Sequence, residues 1–181
     1  MMEVEGNPRG IPAAPFVDDV AKFVPDGDYE GTLRKFQEMI SKYRFMETHL
    51  LQRKAGLESK APEIKKTLEM VLFLKSKEDS DEPIATEFEL SDTLWARASI
   101  PPTKTVNLWL GANVMLEYTL DEASELLSTK LKSALTTLEQ VNEDLEFLKE
   151  QITTVEVNMA RVYNDDVRRR RLEKDAGGSS A

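Results

Sequence analysis

The feature that most constrains this chain lies in its second half. Leu127, Leu131, Ala134, Leu138, Val141, Leu145, Leu148, Ile152, Val155, Met159 and Val162 follow one another at alternating spacings of four and three, without a break. That spacing draws one narrow apolar stripe along a helix about 50 Å long at 1.5 Å per residue. A stripe so narrow and so sustained has to lie against another helix. A matching stripe occurs in the first half: Leu33, Phe36, Ile40, Tyr43, Glu47, Leu50, Lys54, Leu57, Ala61, Ile64, Leu68 and Val71, interrupted only by Glu47 and Lys54. Pro62 falls within it. A proline inside a helix removes one hydrogen bond at about 3 kcal/mol, which predicts a local bend there and not the end of the helix.

Between the stripes the period changes from 3.5 to 2. Phe88 and Leu90, then Leu94, Ala96, Ala98 and Ile100, alternate with polar neighbours or with Trp95. Val106, Leu108 and Leu110, then Val114, Leu116 and Tyr118, do the same around Trp109 and Met115. Four short strands joined by short connections read as two β-hairpins. Trp95 and Trp109 have the opposite parity from the apolar set and are expected to cover the second face of the sheet, with ligand stacking as the alternative. Thr119-Leu120-Asp121-Glu122 is a capping box that starts the second long helix.

The expected fold class is therefore α+β, mainly α: a long antiparallel two-helix coiled coil with two β-hairpins inserted between the helices. Residues 1–27, punctuated by Gly6, Pro8, Gly10, Pro12, Pro15, Pro25 and Gly27, read as a flexible extension; Phe16 to Phe23 within it form one or two short amphipathic turns, and the extension is expected to pack loosely on a neighbouring surface. Residues 28–75 are the first helix, 76–85 a charged loop, 86–119 the hairpins, 120–171 the second helix and 172–181 a flexible tail. Folding back in this way puts the hairpins at one end of a rod and both termini at the other, with no interior room for a substrate.

Composition removes several functions. With no cysteine there is no disulfide, thiolate nucleophile or cysteine metal site. The single histidine, His49, sits among charged helix positions and reads as a solvated surface residue. No phosphate-binding glycine pattern, nucleophile elbow or metal-binding helix motif is present. No catalytic residue, cofactor or metal is therefore expected. A net charge of −9 argues against nucleic acid as the partner. The longest purely apolar run, Met70 to Leu74, is far too short to span a bilayer, and the acidic start has no apolar core, so an intracellular, reducing location is expected. Charge is uneven, however: Arg168 to Arg171 form a basic run. It reads either as a helix C-terminus favoured by the helix dipole or as a contact for an acidic partner.

The order long helix, two hairpins, long helix resembles an alpha-type prefoldin subunit. The residues that carry the resemblance are Gly10-Ile11-Pro12 with Phe16-Val17, KYRFME from Lys42 to Glu47, and PEIKKTLE from Pro62 to Glu69. Ala98 to Thr103, LWLGANVMLEY from Leu108 to Tyr118, and TTVEVNMARVYNDDVRRR from Thr153 to Arg170 complete it. The resemblance implies a cytoplasmic heterohexamer with five other prefoldin subunits, joined through a double β-barrel platform. Its coiled-coil tips would hold unfolded actin and tubulin, without ATP, for the cytosolic chaperonin. Membranes and nucleic acids are not expected partners. On that reading Phe88, Leu90, Leu94, Ile100, Val106, Leu108, Leu110, Val114 and Leu116 serve subunit assembly. Phe16, Val17, Phe23, Tyr29, Leu33, Val162, Tyr163, Val167, Arg168, Arg169, Arg170 and Arg171 are candidates for client or chaperonin contact at the tip, with plain seam packing as the alternative for the apolar ones. The rival reading is a coiled-coil scaffold or adaptor of a cytoskeletal or trafficking complex, with the hairpins as a dimerisation knob.

Overall fold

The computed structural model describes residues 6–24, 27–80 and 82–177. The elements are α1 (Val20–Phe23), α2 (Tyr29–Ser76), β1 (Ile84–Ser91), β2 (Leu94–Ile100), β3 (Thr105–Gly111), β4 (Val114–Thr119) and α3 (Leu120–Gly177). The chain is mainly helical, with two small antiparallel strand pairs between two long helices, as the periodicities predict.

Local chemistry sets the helix ends. Asp28 caps α2 through its Oδ1, which accepts the Gly31 amide proton at 2.9 Å. At the start of α3 the expected capping box is formed: the Thr119 amide donates to Glu122 Oε2 at 3.1 Å, and the Glu122 amide donates to Thr119 Oγ1 at 3.3 Å. Those bonds hold the Glu122 carboxyl below its ordinary pKa, the Thr119 amide contributing most. Pro62 lies inside α2 without ending it. α3 passes the expected stop at Arg171 and runs to Gly177. Residues 172–174 are Leu, Glu and Lys, all good helix formers, and Arg169 pairs with Glu173 one turn on at 2.9 Å. Residues 178–181 of the expected tail, and residues 1–5 of the expected extension, lie outside the described residues.

β1 pairs with β2 so that Ile84 faces Ile100 and Phe88 faces Ala96. β3 pairs with β4 so that Val106 faces Tyr118 and Leu108 faces Leu116. Ala112 and Asn113, the two residues between β3 and β4, both have positive φ (48° and 61°). Positive φ at both central positions is the type I′ pattern, whose twist matches the strands it joins. The strands form two separate two-stranded sheets, and no barrel closes among the described residues. A two-stranded ribbon has too few strands to close on itself, so the platform geometry implied by the resemblance is not a property of this chain alone.

The chain divides into two compact units: Gly56–Leu138, and Met1–Ala55 with Glu139–Ala181. In the first, the core is Val71, Leu108, Leu120, Ala123 and Leu127, with Ile64, Leu68, Val106 and Tyr118 packed around it. One face of the β3–β4 hairpin thus closes over both helices. In the second, Phe36 and Tyr43 of α2 meet Leu148, Ile152, Val155 and Val162 of α3. The helices run antiparallel there: Tyr29 bonds Asp165, and Arg44 bonds Glu156. Every residue of both predicted stripes is buried or partly buried. The same core contains Ile11, Ala14, Val17 and Val24. Residues 6–24, expected as a flexible extension, are therefore laid against the helices. The cause is that α2 and α3 offer more apolar surface than they cover between themselves. Among the described residues no helix is long and apolar enough to cross a membrane.

Two glycines of α2 separate capping from propensity. A Cβ on Gly31 would lie 2.1 Å from Asp28 Oδ2, whereas one on Gly56 would meet nothing within 4 Å. Gly56→Ala is expected to stabilise the chain by about 1 kcal/mol, the ordinary gain inside a helix. Gly31→Ala is expected to give no gain, because the alanine displaces the cap, itself worth about 1 kcal/mol. Denaturant midpoints followed by far-ultraviolet circular dichroism check both.

Candidate functional site

Two surfaces carry the predicted functional residues. On the hairpins, the face shared by Ile84, Phe88, Ala96 and Ile100 is apolar, and Phe88 remains 64% exposed. Leu90, Leu94 and Ile100 are exposed as well. On the second hairpin the corresponding face is split. Leu108 is buried and Val106 half-buried against the helices, whereas Leu110, Val114 and Leu116 are exposed. Trp95 and Trp109 lie on the opposite faces, as their parity predicts, but remain exposed there, Trp109 by 60%. Met115 pairs with Trp109 and is also exposed. Both faces of the outer part of this hairpin are therefore apolar and wet, well beyond the single exposed side chains that an ordinary surface carries. The same unit exposes Met70, Leu72 and Phe73 near the end of α2. These were not singled out from the sequence. The available signal was the continuous apolar run Met70–Leu74, wider than one helical stripe requires.

The second surface is built on α3. Beside its stripe runs a polar row, Asp144, Gln151, Asn158 and Asp165, each seven residues from the next. A seven-residue step returns to almost the same side of a helix, so the row forms a ladder. Three of its members, Asp144, Gln151 and Asn158, are buried. Their partners come from the extended segment before α1. Arg9 Nε donates to Asp144 Oδ1 at 2.6 Å, and Arg9 Nη2 to Glu143 at 2.8 Å. The Ala14 amide donates to Gln151 Oε1 at 2.8 Å. Asn158 makes two bonds to main chain: its Oδ1 accepts the Val17 amide proton at 3.0 Å, and its Nδ2 donates to the Pro15 carbonyl at 2.6 Å. Arg161 donates to the Val17 carbonyl at 2.7 Å, and from α2 the Tyr43 hydroxyl donates to the Pro12 carbonyl at 2.8 Å. Among the described residues no buried side-chain polar atom lacks a partner. The ladder was not identified from the sequence. A row of Gln and Asn at heptad spacing was visible, but nothing local told which backbone it would bind.

The predicted tip residues separate by burial. Val17, Tyr29 and Val162 are buried, and Leu33 and Val167 are half-buried. Phe16 and Tyr163 are more than half exposed. Phe23 is less so, its ring stacked on Phe36 at 5.7 Å. Arg161 lies over the Phe16 ring at 4.8 Å. The basic run is largely committed to its own helix: Arg168 pairs with Asp165 at 3.4 Å, Arg170 with Asp166 at 2.7 Å, and Arg169 with both Asp166 and Glu173. Arg171 is exposed. The Tyr29 hydroxyl donates to Asp165 Oδ2 at 2.8 Å, and that bond, with burial, raises its pKa.

Asp166 supplies a pH test. Burial alone would raise its carboxyl, but hydrogen bonds from Arg169 and Arg170 outweigh it and leave the pKa lowered. A group depressed in the fold contributes its full stability above its unfolded value, about 3.9, and loses it as pH falls through the folded value. Asp166→Asn is therefore expected to melt below the wild type at pH 7, with the gap closing progressively once pH drops below about 3.9. Thermal melts of the two proteins across that range check it.

Comparison with known proteins matches this arrangement. The family model described as "Prefoldin subunit" matches residues 43–165. A protein of Elsinoe fawcettii named "Prefoldin subunit 3" is 59% identical over 176 residues, covering 97% of this chain and 89% of its own. The human protein of that name is 51% identical over 164 residues, covering 89% and 83%, and that of Saccharomyces cerevisiae is 46% identical over 182 residues, covering 95% and 92%. Among solved structures, a chain of the filamentous PFD of Methanocaldococcus jannaschii superposes with a TM-score of 0.51 at 16% identity, covering 67% of this chain and 98% of its own, which supports the fold. With a stripe-bearing helix either side of two hairpins and relatives alike over most of its length, this chain belongs to the prefoldin subunit family.

Proposed function

We propose that this chain is one subunit of a cytoplasmic heterohexameric prefoldin, assembled with five other prefoldin subunits through its hairpins. The complex takes up unfolded actin and tubulin at the ends of its helices and passes them to the cytosolic chaperonin. It does so by binding alone, as a holding factor and not as an enzyme, and without ATP.

The observation that carries this reading is the exposure of the hairpins. Phe88, Leu90, Leu94, Leu116, Trp95, Trp109 and Met115 are all exposed in the chain taken by itself. Each hairpin is also a two-stranded sheet whose outer edges pair with no further strand among the described residues. Unpaired edges and apolar faces recruit further strands, and other subunits of the same fold present the same groups. Holding clients then requires no deep pocket. Exposed residues such as Phe16 and Tyr163 supply weak apolar contacts, and several subunits acting on one client combine those contacts by multivalency.

The two kinds of hairpin residue give different expected outcomes. Phe88→Glu and Leu116→Glu alter exposed positions, so the chain keeps its helix content but fails to enter the complex, because an unpaired charge is buried on assembly. Leu108→Ala acts on the chain's own core instead and lowers its stability by about 2–5 kcal/mol. Circular dichroism with size-exclusion chromatography separates the two. For the function itself, the purified complex is expected to suppress light scattering when denatured actin is diluted into it, with no nucleotide added. Unchanged scattering would contradict the holding role.

A further inference from the structure

We infer that the groove between α2 and α3 lined by Tyr43, Gln151, Asn158 and Arg161 is a binding site for extended polypeptide backbone, occupied in cis by residues 11–17 and open to an unfolded chain in trans once that strap leaves. The inference deepens the holding role proposed above and rests on it for the identity of the trans ligand.

What the groove recognises is main chain. Between Pro12 and Val17 the strap makes five hydrogen bonds with the helices: its carbonyls accept from Tyr43, Asn158 and Arg161, and its amides donate to Gln151 and Asn158. All five reach main-chain atoms of the strap. Asn158 satisfies both sides of its amide on the backbone of residues 15 and 17, and it is fully buried while doing so. A side-chain amide that pairs with a carbonyl and an N–H of an extended chain reads only what all polypeptides share. The side chains that enter the groove are Ile11, Ala14 and Val17, spaced by three, the repeat of a polyproline II helix. Their demand on sequence is a small or medium apolar residue at every third position, which segments of a non-native protein's interior meet often.

A groove of this kind needs an occupant. With the strap removed, the Asn158 and Gln151 amides would exchange their main-chain partners for water, and the apolar wall of Ile152, Val155 and Val162 beside them would lose its cover, which is the larger cost. Any extended apolar segment restores those bonds. The strap is also built to compete from within the chain: its own side chains pin it at Asp144 and Glu143 through Arg9, and Phe23 stacks on Phe36 at its other end. It therefore shields the apolar wall of the groove from solvent and lowers the groove's apparent affinity for anything else by the fraction of time it is seated.

The test uses the full chain in the complex purified with it. The probe is a fluorescein-labelled synthetic peptide with the sequence of residues 7–20. Val17→Asp puts a carboxylate on a strap position that is 1% exposed and leaves every groove residue unchanged. A second variant replaces residues 11–17 by glycine and serine, so that release of the strap does not depend on one substitution. Hydrogen exchange of the segment establishes release. Both variants are expected to bind the labelled peptide at least tenfold more tightly than wild type, and adding Asn158→Ala to either is expected to remove most of that gain. A reduced, carboxymethylated unfolded protein is expected to displace the peptide. No gain in peptide affinity in a variant whose strap is released overturns the inference. So does a peptide that binds but is not displaced by the unfolded protein, since the groove would then be specific for its own strap. Displacement in a complex that fails to suppress actin aggregation would instead contradict the holding role and leave the backbone site standing.

Discussion

Everything in this fold follows from the need to cover the apolar stripe of α3. A helix of 58 residues with such a stripe exposes a long apolar surface to water unless other elements cover it. Over residues 120–138 the cover comes from the second half of α2 and from one face of the β3–β4 hairpin, with Leu108, Val106 and Tyr118 as the contacts. Over residues 139–177 it comes from the first half of α2 and from an extended strap carrying Ile11, Ala14 and Val17. The same helix therefore uses three kinds of partner, and each leaves a different surface unfinished.

Where the partner is a hairpin, the unfinished surface is apolar. Leu108, Val106 and Tyr118 are spent on the chain's own core, and Phe88, Leu90, Leu94, Trp95, Trp109, Met115 and Leu116 are left in water. Non-directional burial of that kind suits permanent contact with chains of like shape. Where the partner is the strap, the surface beneath it is directional. Gln151, Asn158 and Arg161 fix an extended backbone by hydrogen bonds, and the apolar wall adds affinity without asking for a particular side chain. That combination suits contact that must be made and broken with many different sequences. The separation of a permanent surface from an exchangeable one is what the proposed role requires.

Much of the architecture was legible before any coordinates. The four-three spacing identified both helices, the change of period to two identified the strands, and Thr119 with Glu122 marked the start of α3 to the residue. These signals are local or strictly periodic. Loose packing of the extension and a short turn within residues 16–23 were legible, but the course of the strap was not, because its prolines and glycines exclude regular structure and do not say where it docks. Its order comes from contacts more than 130 positions away in sequence, such as Ala14 with Gln151 and Val17 with Asn158. The tip residues divided for the same reason. Val17 and Val162, candidates for exposure at a frayed end, are both buried in the cluster that the strap forms with the two helices. Of the basic run, Arg168, Arg169 and Arg170 turn out to be paired along their own helix, which the i,i+3 and i,i+4 positions of Asp165, Asp166 and Glu173 already permitted.

The exposed hairpins are proposed to join this chain to others of its own fold. Native mass spectrometry of the complex isolated through this chain tests it most directly. One dominant assembly of six chains is expected, in which this chain and five other, mutually different prefoldin-family subunits are present in equal amounts. A self-dimer of this chain attached to a single folded partner would contradict it and favour a scaffold built on the same helices.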